Sequence, residues 1–340
     1  MDPTMFRMPF ADVLARLAAI LETLGFTPAR ANTCAHLFAE TTCDGVYTHG
    51  VNRFPRFVAT IRNGSVDPAA EPVCLSAFGA LERWDGRRGP GNLNAQAAMD
   101  RAIALARQHG IACIALCNTN HWMRGGTYGW QAADAGLIAL CWTNTMPNIP
   151  PWGAVTPAIG NNPLILAVPR PYGHLVLYMA MSQFSYGALE THRRRSQPLP
   201  VPGGFDSAGQ LTRDAAAIEA SQRALPIGYW KGSGLSILLD SIAAVLALGN
   251  ATHQFSTDPL LETALSQTFI AIHPAAVGDP GRHALIADEI VASVHAATPD
   301  SPDTTIRYPG EQTLRLRVEN TALGLPINES TWSTIMEMPA

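Results

Sequence analysis

The chain has 340 residues and a net charge of −4, and its 47% apolar content is that of an ordinary globular protein. One hydrophobic core stops growing at about 250–300 residues, so more than one lobe is expected. A slightly acidic chain lacks the basic face that a nucleic-acid partner requires.

The opening MDPTMFRMPFADV has no basic stretch leading into an apolar one, so no signal peptide is expected. Val13, Leu14, Leu17, Ile20 and Leu21 recur at helical spacing and predict a helix over 11–25 that ends at Gly25. Thr27 as N-cap and Pro28 in the first turn predict a second helix over 27–42. A third, short helix covers 55–64. Beyond Pro72 the pattern mixes helix and strand. Helices are predicted over 92–110, 128–136, 235–248 and 283–297, and strands over 111–117, 137–142, 164–169, 174–181 and 268–272. Residues 198–210 and 301–313 read as loops, and the tail as a strand and two short helices. The helix over 235–248 is the most apolar run. Asp240 at its centre argues for a buried helix and against a membrane span.

This order is mixed α/β, without the regular βαβ alternation of a doubly wound sheet. No GxGxxG follows a strand, and Walker A, HExxH and GxSxG patterns are absent. The six cysteines form no CxxC pair, which suits reduced thiols in a cytoplasm. His253, His273, His283 and His295 lack metal-ligand spacing, so no metal is expected.

Three loops gather the polar chemistry. DGVYTHGVNRFPRF (44–57) holds His49, the one side-chain type that titrates near neutrality unaided, and therefore a candidate general acid. If the segment is helical, Arg53 shares a face with His49 and suits a carboxylate. The flanking glycines would then let substrate approach. NTNHWMRGGTYGW (118–130) puts Asn120 and His121 at the end of a strand. GYWKGSG (228–234) sets Lys231, the only lysine in the chain, before a helix start that suits an anion. Spacing alone leaves the plainer readings open: a helix-end histidine, a turn histidine and a surface lysine. Arg193, Arg194 and Arg195 read as a solvated basic face.

Those loops, with GNLNAQAAMDRAI, CWTNT, PPWGA, GNNPLILAVP, MSQFSYGALE and GGFDSAGQLT, resemble the type-2 malate/L-lactate dehydrogenase family almost end to end. The resemblance implies a non-Rossmann α/β (mixed α+β) fold with a largely antiparallel cofactor-binding sheet and a helical lobe from both chain ends. It implies a helical lobe over 1–75 packed with the tail 297–340, and a cofactor- and substrate-binding α/β domain over 76–296. The implied activity is NAD(P)H-dependent reduction of a 2-oxo sugar acid, NADH slightly favoured over NADPH, in a cytoplasmic homodimer that needs neither membrane nor nucleic acid. Another small 2-hydroxy acid such as malate, lactate or ureidoglycolate, or a non-catalytic dinucleotide-binding role, stays open beside it. The implied proton donor is His49, and the substrate contacts are Arg53, Asn120 and His121. Cofactor contacts fall on His174, Leu175, Val176, Leu177, Tyr178, Met179 and Ala180, on Trp230 and Lys231, and on Gly310, Glu311 and Gln312. Two positions depart from the family pattern: Tyr178 stands where aspartate is usual, and Asn161 where threonine is.

Overall fold

The computed structural model describes residues Met5–Ala340; residues 1–4, which belong to the segment read as lacking a signal peptide, lie outside the described residues. In chain order the first elements are β1 (Met5–Met8), α1 (Phe10–Thr23), α2 (Pro28–Cys43) and α3 (Phe54–Arg62). Then come β2 (Val73–Phe78), β3 (Leu81–Asp85), α4 (Gly91–His109), β4 (Ile111–Asn120), α5 (Gly126–Asp134) and β5 (Ile138–Thr143). Next are β6 (Leu164–Val168), β7 (Leu175–Met179), α6 (Tyr186–Arg194), β8 (Gly204–Phe205), β9 (Leu211–Thr212), α7 (Ala215–Ser221) and α8 (Trp230–Ala247). The chain closes with β10 (Thr263–Ile272), α9 (Pro280–His295), α10 (Glu311–Leu323), β11 (Leu325–Asn328) and α11 (Glu329–Met336).

α1 buries the stripe its spacing predicts, Val13, Leu17, Ile20 and Leu21. α2 starts at Pro28, but the Thr27 side chain makes no capping hydrogen bond. β1 pairs antiparallel with β11, and Leu325, Ile327 and Ile335 join Leu17, Phe38 and Phe54 in one core. β1, β11 and α11 therefore pack with α1, α2 and α3.

The main sheet runs β2-β3-β4-β10-β5-β6-β7, and every neighbouring pair is antiparallel except β3–β4. This is the mixed, largely antiparallel, non-Rossmann architecture that the family resemblance implies. β10 inserts between β4 and β5, setting Phe269 opposite both Ile114 and Cys141. α4 and α5 cover one face through Ala98, Met99, Ala102 and Trp130. α8 covers the other through Leu239 and Ala243, against Trp142 and Met181.

Several elements differ from expectation for identifiable reasons. β4 continues to Asn120 because its last residues keep pairing with Thr263 and Leu265 across two bulges. The hairpin β2–β3 carries no alternating sequence signature because β2 is exposed along its whole length. α6 and α7 flank the 198–210 stretch read as loop and carry no helix expectation, yet Ser185 accepts from Ala188 N and Asp214 from Ala216 N, which caps each helix. α8 begins at Trp230, not Leu235, and it is not a buried helix: Leu238 and Val245 are 59% and 69% exposed. Asp240 is accommodated because it accepts from Asn144 Nδ2 (2.9 Å) and Thr252 N (3.0 Å).

Candidate active site

The segment after α2 is not one helix. Tyr47–His49 and Val51–Arg53 form two 3₁₀ turns that break at Gly50. A Cβ on Gly50 would lie 2.1 Å from Thr42 Oγ1, and that same oxygen accepts from Val51 N at 2.8 Å. Gly50 thus lets the turn press on α2; it does not open a path for substrate, as the sequence suggested. The turn still delivers His49 and Arg53 to one place, because α3 begins directly after it.

His49 lies parallel to His121, which follows the end of β4, with ring centroids 5.7 Å apart and planes at 18°. Thr48 Oγ1 is 3.0 Å from His49 Nδ1. His121 Nδ1 accepts from Met123 N at 3.0 Å, which fixes the other ring nitrogen as the proton-bearing one in the neutral form. Asn120 is held hard: its Nδ2 donates to Arg88 O (2.8 Å), Gly89 O (3.0 Å) and Ser65 O (3.3 Å). A narrow, solvent-open cleft lies here, lined by Arg53, Arg56, Thr60, Asn120, His121 and Glu262 among others. Of the four substrate-side residues singled out in the sequence, Arg53, Asn120 and His121 line this cleft, and His49 joins them through its stack on His121.

Cations dominate this cleft. Burial, then the charges of Arg53, Arg124 and Arg56, push the His49 pKa down to about 3. Burial and the same pair Arg53 and Arg56, with His49, hold His121 well below its usual value. Burial and neighbouring Arg56 lower Arg53 to about 10. The Arg53 guanidinium has no hydrogen-bond or ion-pair partner among the described residues, whereas that of Arg56 donates to Pro259 O at 2.7 Å. Arg124 is committed elsewhere: it pairs with the buried Asp44, which also accepts from Arg317 Nε (2.6 Å) and Nη2 (2.8 Å).

The three predicted cofactor segments meet along the edge strand β7. Val176 N donates to Pro309 O at 2.8 Å, which docks the loop before α10 on the strand. Gly310 takes φ +102°, and a Cβ there would lie 2.9 Å from His174 O. His174 is locked, with Nδ1 accepting from Arg170 N (2.9 Å) and Nε2 facing Asp134 (2.9 Å). Glu311 Oε2 is shared between His295 (3.1 Å) and Tyr308 N (3.2 Å), and Gln312 Oε1 is buried without a partner. At the other end of β7, Ile227 N donates to Met181 O at 2.8 Å and brings in the segment that carries Trp230 and Lys231. Lys231 lies inside the first turn of α8, its Nζ 5.9 Å from the Trp230 ring centroid.

Strand alternation puts Val176 and Tyr178 on one face of β7 and Leu175, Leu177 and Met179 on the other, with Ala180 just beyond. Tyr178 turns towards His49, its ring edge-on at 6.3 Å, and burial raises its phenol to about 12. Sequence reasoning missed Glu262, Arg124 and Asp44. Arg124 and Asp44 lay inside quoted stretches, but nothing local marks them as a buried pair; Glu262 sits in a loop with no motif.

A sequence model described as malate/L-lactate dehydrogenase matches residues 8–336. The chain belongs to the malate/L-lactate dehydrogenase family and is an oxidoreductase, which implies a nicotinamide cofactor. Over 333 residues it is 45% identical to a 2,3-diketo-L-gulonate reductase of Escherichia coli, covering 98% of this chain and 100% of that one. Among solved structures it resembles delta1-piperideine-2-carboxylate reductase from Pseudomonas syringae pvar. tomato, with 28% identity, TM-score 0.87, and 98% and 99% of the two chains covered. It shares its fold with malate dehydrogenase from Entamoeba histolytica at TM-score 0.92 and 20% identity, covering 98% and 97%.

Proposed function

We propose that the protein reduces a 2-oxo sugar acid, such as 2,3-diketo-L-gulonate, to the 2-hydroxy acid with NADH or NADPH. The observation that carries this reading is Arg53, a guanidinium at the cleft beside His49 with no acid of its own to pair with. Such a group suits the carboxylate of a 2-oxo acid.

The residues along β7 fit a nicotinamide dinucleotide. Gly310 is packed against the strand backbone, while Gln312 Oε1 and Ser182 Oγ are buried without protein partners and are the atoms that suit it. Residues 174–180, Trp230, Lys231 and 310–312 would hold it. When bound, the reduced nicotinamide supplies the hydride for the C2 carbonyl.

The chain supplies the rest. Arg53 and Arg56 orient the substrate carboxylate, so that the carbonyl is presented in a reactive geometry. His49 delivers a proton to the carbonyl oxygen as negative charge grows there, help worth about 10²–10⁴ in rate. In the free protein the arginines and burial keep His49 neutral. An incoming carboxylate offsets their charge, so substrate binding itself favours the imidazolium that reduction needs.

NADH is favoured because Arg193 and Arg194, the obvious basic run, already face Glu219 (2.5 Å) and Glu190 (2.6 Å). We also place the enzyme in the cytoplasm, consistent with the buried free thiols of Cys34, Cys43, Cys117 and Cys141, and as a homodimer that covers the outward apolar side chains of α8. We keep the division into 1–75 with the tail 297–340, and 76–296; the core shared by Leu17, Phe38, Leu325 and Ile335 supports it, although Leu93 and Met123 join that core from the second unit. The test is a panel of 2-oxo acids with each cofactor, read as loss of reduced-nicotinamide absorbance. His49→Ala should lower turnover at least about a hundredfold with cofactor affinity kept. Binding of both ligands with no wild-type turnover on any acid would sink the reading.

A further inference from the structure

The cleft contains more than an anion site. Glu262 is only 8% exposed, yet it lines the same cleft as Arg53 and Arg56. One carboxylate oxygen is fixed by Met146 N at 2.9 Å. The other has no protein partner among the described residues, and Glu262 closes no ion pair with either arginine, although its charge reaches both. Beside it, Thr60 spends its only donor on Phe57 O (2.7 Å), which leaves its oxygen as an acceptor. Asn120 spends both amide protons on backbone carbonyls, and its Oδ1 is buried without a partner.

These three side chains therefore offer acceptors only, while the arginines offer donors only. A simple oxo acid has a carboxylate for the arginines but no O–H groups for the acceptors. For such a ligand the buried carboxylate is an uncompensated neighbour that opposes binding. A polyhydroxylated acid satisfies both sides at once. We infer that Glu262 is a specificity-determining residue that recognises hydroxyl groups on the substrate chain and, with Thr60 and Asn120, selects polyhydroxylated acids over short ones. This deepens the sugar-acid reading above and rests on it for the identity of the site.

The test is calorimetric, with the protein saturated with NADH and two acids that have no carbonyl to reduce, gulonate and lactate. Wild type should prefer gulonate by about 10- to 100-fold, the size of one or two hydrogen bonds to a charged group. Glu262→Gln keeps the shape and the bond from Met146 N but replaces the free oxygen with a donor, so the preference should fall to a few-fold. Glu262→Asp keeps the charge at a shorter reach and should lose affinity for gulonate more than for lactate. An equal loss for both acids in these variants, or an unchanged preference, overturns the assignment. Turnover of 2,3-diketo-L-gulonate is measured separately. A wild type that prefers gulonate yet oxidises no NADH would overturn the reductase reading and leave Glu262 in its role.

Discussion

Tyr178 presents its ring edge to His49, with centroids 6.3 Å apart and planes at 81°. The position lies in the strand proposed to hold the cofactor, but its side chain faces His49, the proposed proton donor. Arg53 and Arg124 act on its phenol as well as on His49. A carboxylate here would stand among those cations and would favour imidazolium; the phenol, with its pKa raised to about 12, stays neutral. Two charges about 6 Å apart at an effective dielectric of 20 interact by roughly 3 kcal/mol, or about two pH units. Tyr178→Asp should therefore raise the His49 pKa and move the alkaline fall of kcat/KM for reduction to higher pH by up to that amount. Tyr178→Phe, which keeps the ring, should leave it in place. If Tyr178→Asp tightens NADH and leaves the pH profile untouched, the position serves the cofactor ribose instead.

The depressed His49 pKa gives a directional pH prediction in the wild type. Reduction needs the protonated ring, and the free enzyme holds it at about 3. Between that value and the higher pKa of the substrate complex, binding must take up a proton. Reductive kcat/KM should then fall about tenfold per pH unit through neutrality, while kcat stays flat until the complex itself loses the proton. Oxidation uses the neutral ring, so its kcat/KM should show no such fall. Proton uptake measured by calorimetry in buffers of different ionisation enthalpy checks the same step. A reductive kcat/KM that is level from pH 6 to 8 would contradict it.

The helices α1 to α4 were legible because each carries a helical repeat with a marked start or stop. The central strands were legible as short apolar runs. What sequence could not supply was the order of the strands: β10 lies far along the chain yet sits between β4 and β5. His49, Arg53, Asn120 and His121 stand out in the sequence because each lies in a glycine-rich or strand-end loop. Glu262 does not, since it joins Arg53 and Arg56 only when the loop before β10 folds against α3. Tyr178 was noticed as a departure from a pattern, but its direction depends on strand register, and a shift of one residue would have pointed it the other way.

Arg53→Lys keeps a positive charge in the cleft but loses the planar fork. KM for the 2-oxo acid should rise at least about tenfold, with NADH affinity within a few-fold of wild type. Arg56 donates to Pro259 O and can retain some hold on the carboxylate, so the double change Arg53→Lys, Arg56→Lys should cost more than the single one. Steady-state kinetics alongside cofactor titration by fluorescence separates the outcomes. Weakened NADH binding with a normal substrate KM would move Arg53 to the nucleotide side.

Asp44 ties three distant segments together. It ends α2, accepts from Arg124 just before α5, and accepts from Arg317 on α10. Its side chain is fully buried and Arg124 is only 4% exposed, so neither charge has water to fall back on. Removing the aspartate charge leaves Arg124 buried without its counter-charge, whereas Arg317 is 31% exposed; losing one partner of a buried pair costs about 3–5 kcal/mol. Asp44→Asn should therefore lower stability by that order, read from urea unfolding monitored by fluorescence. A second effect reaches the active site. Arg124 already lowers the His49 pKa, and without the aspartate its charge acts on the ring unopposed. In the folded variant, reductive kcat/KM should drop and its alkaline fall should begin at lower pH than in wild type, whereas oxidative kcat/KM should change less. Loss of stability with an unaltered pH profile would confine Asp44 to holding the fold together.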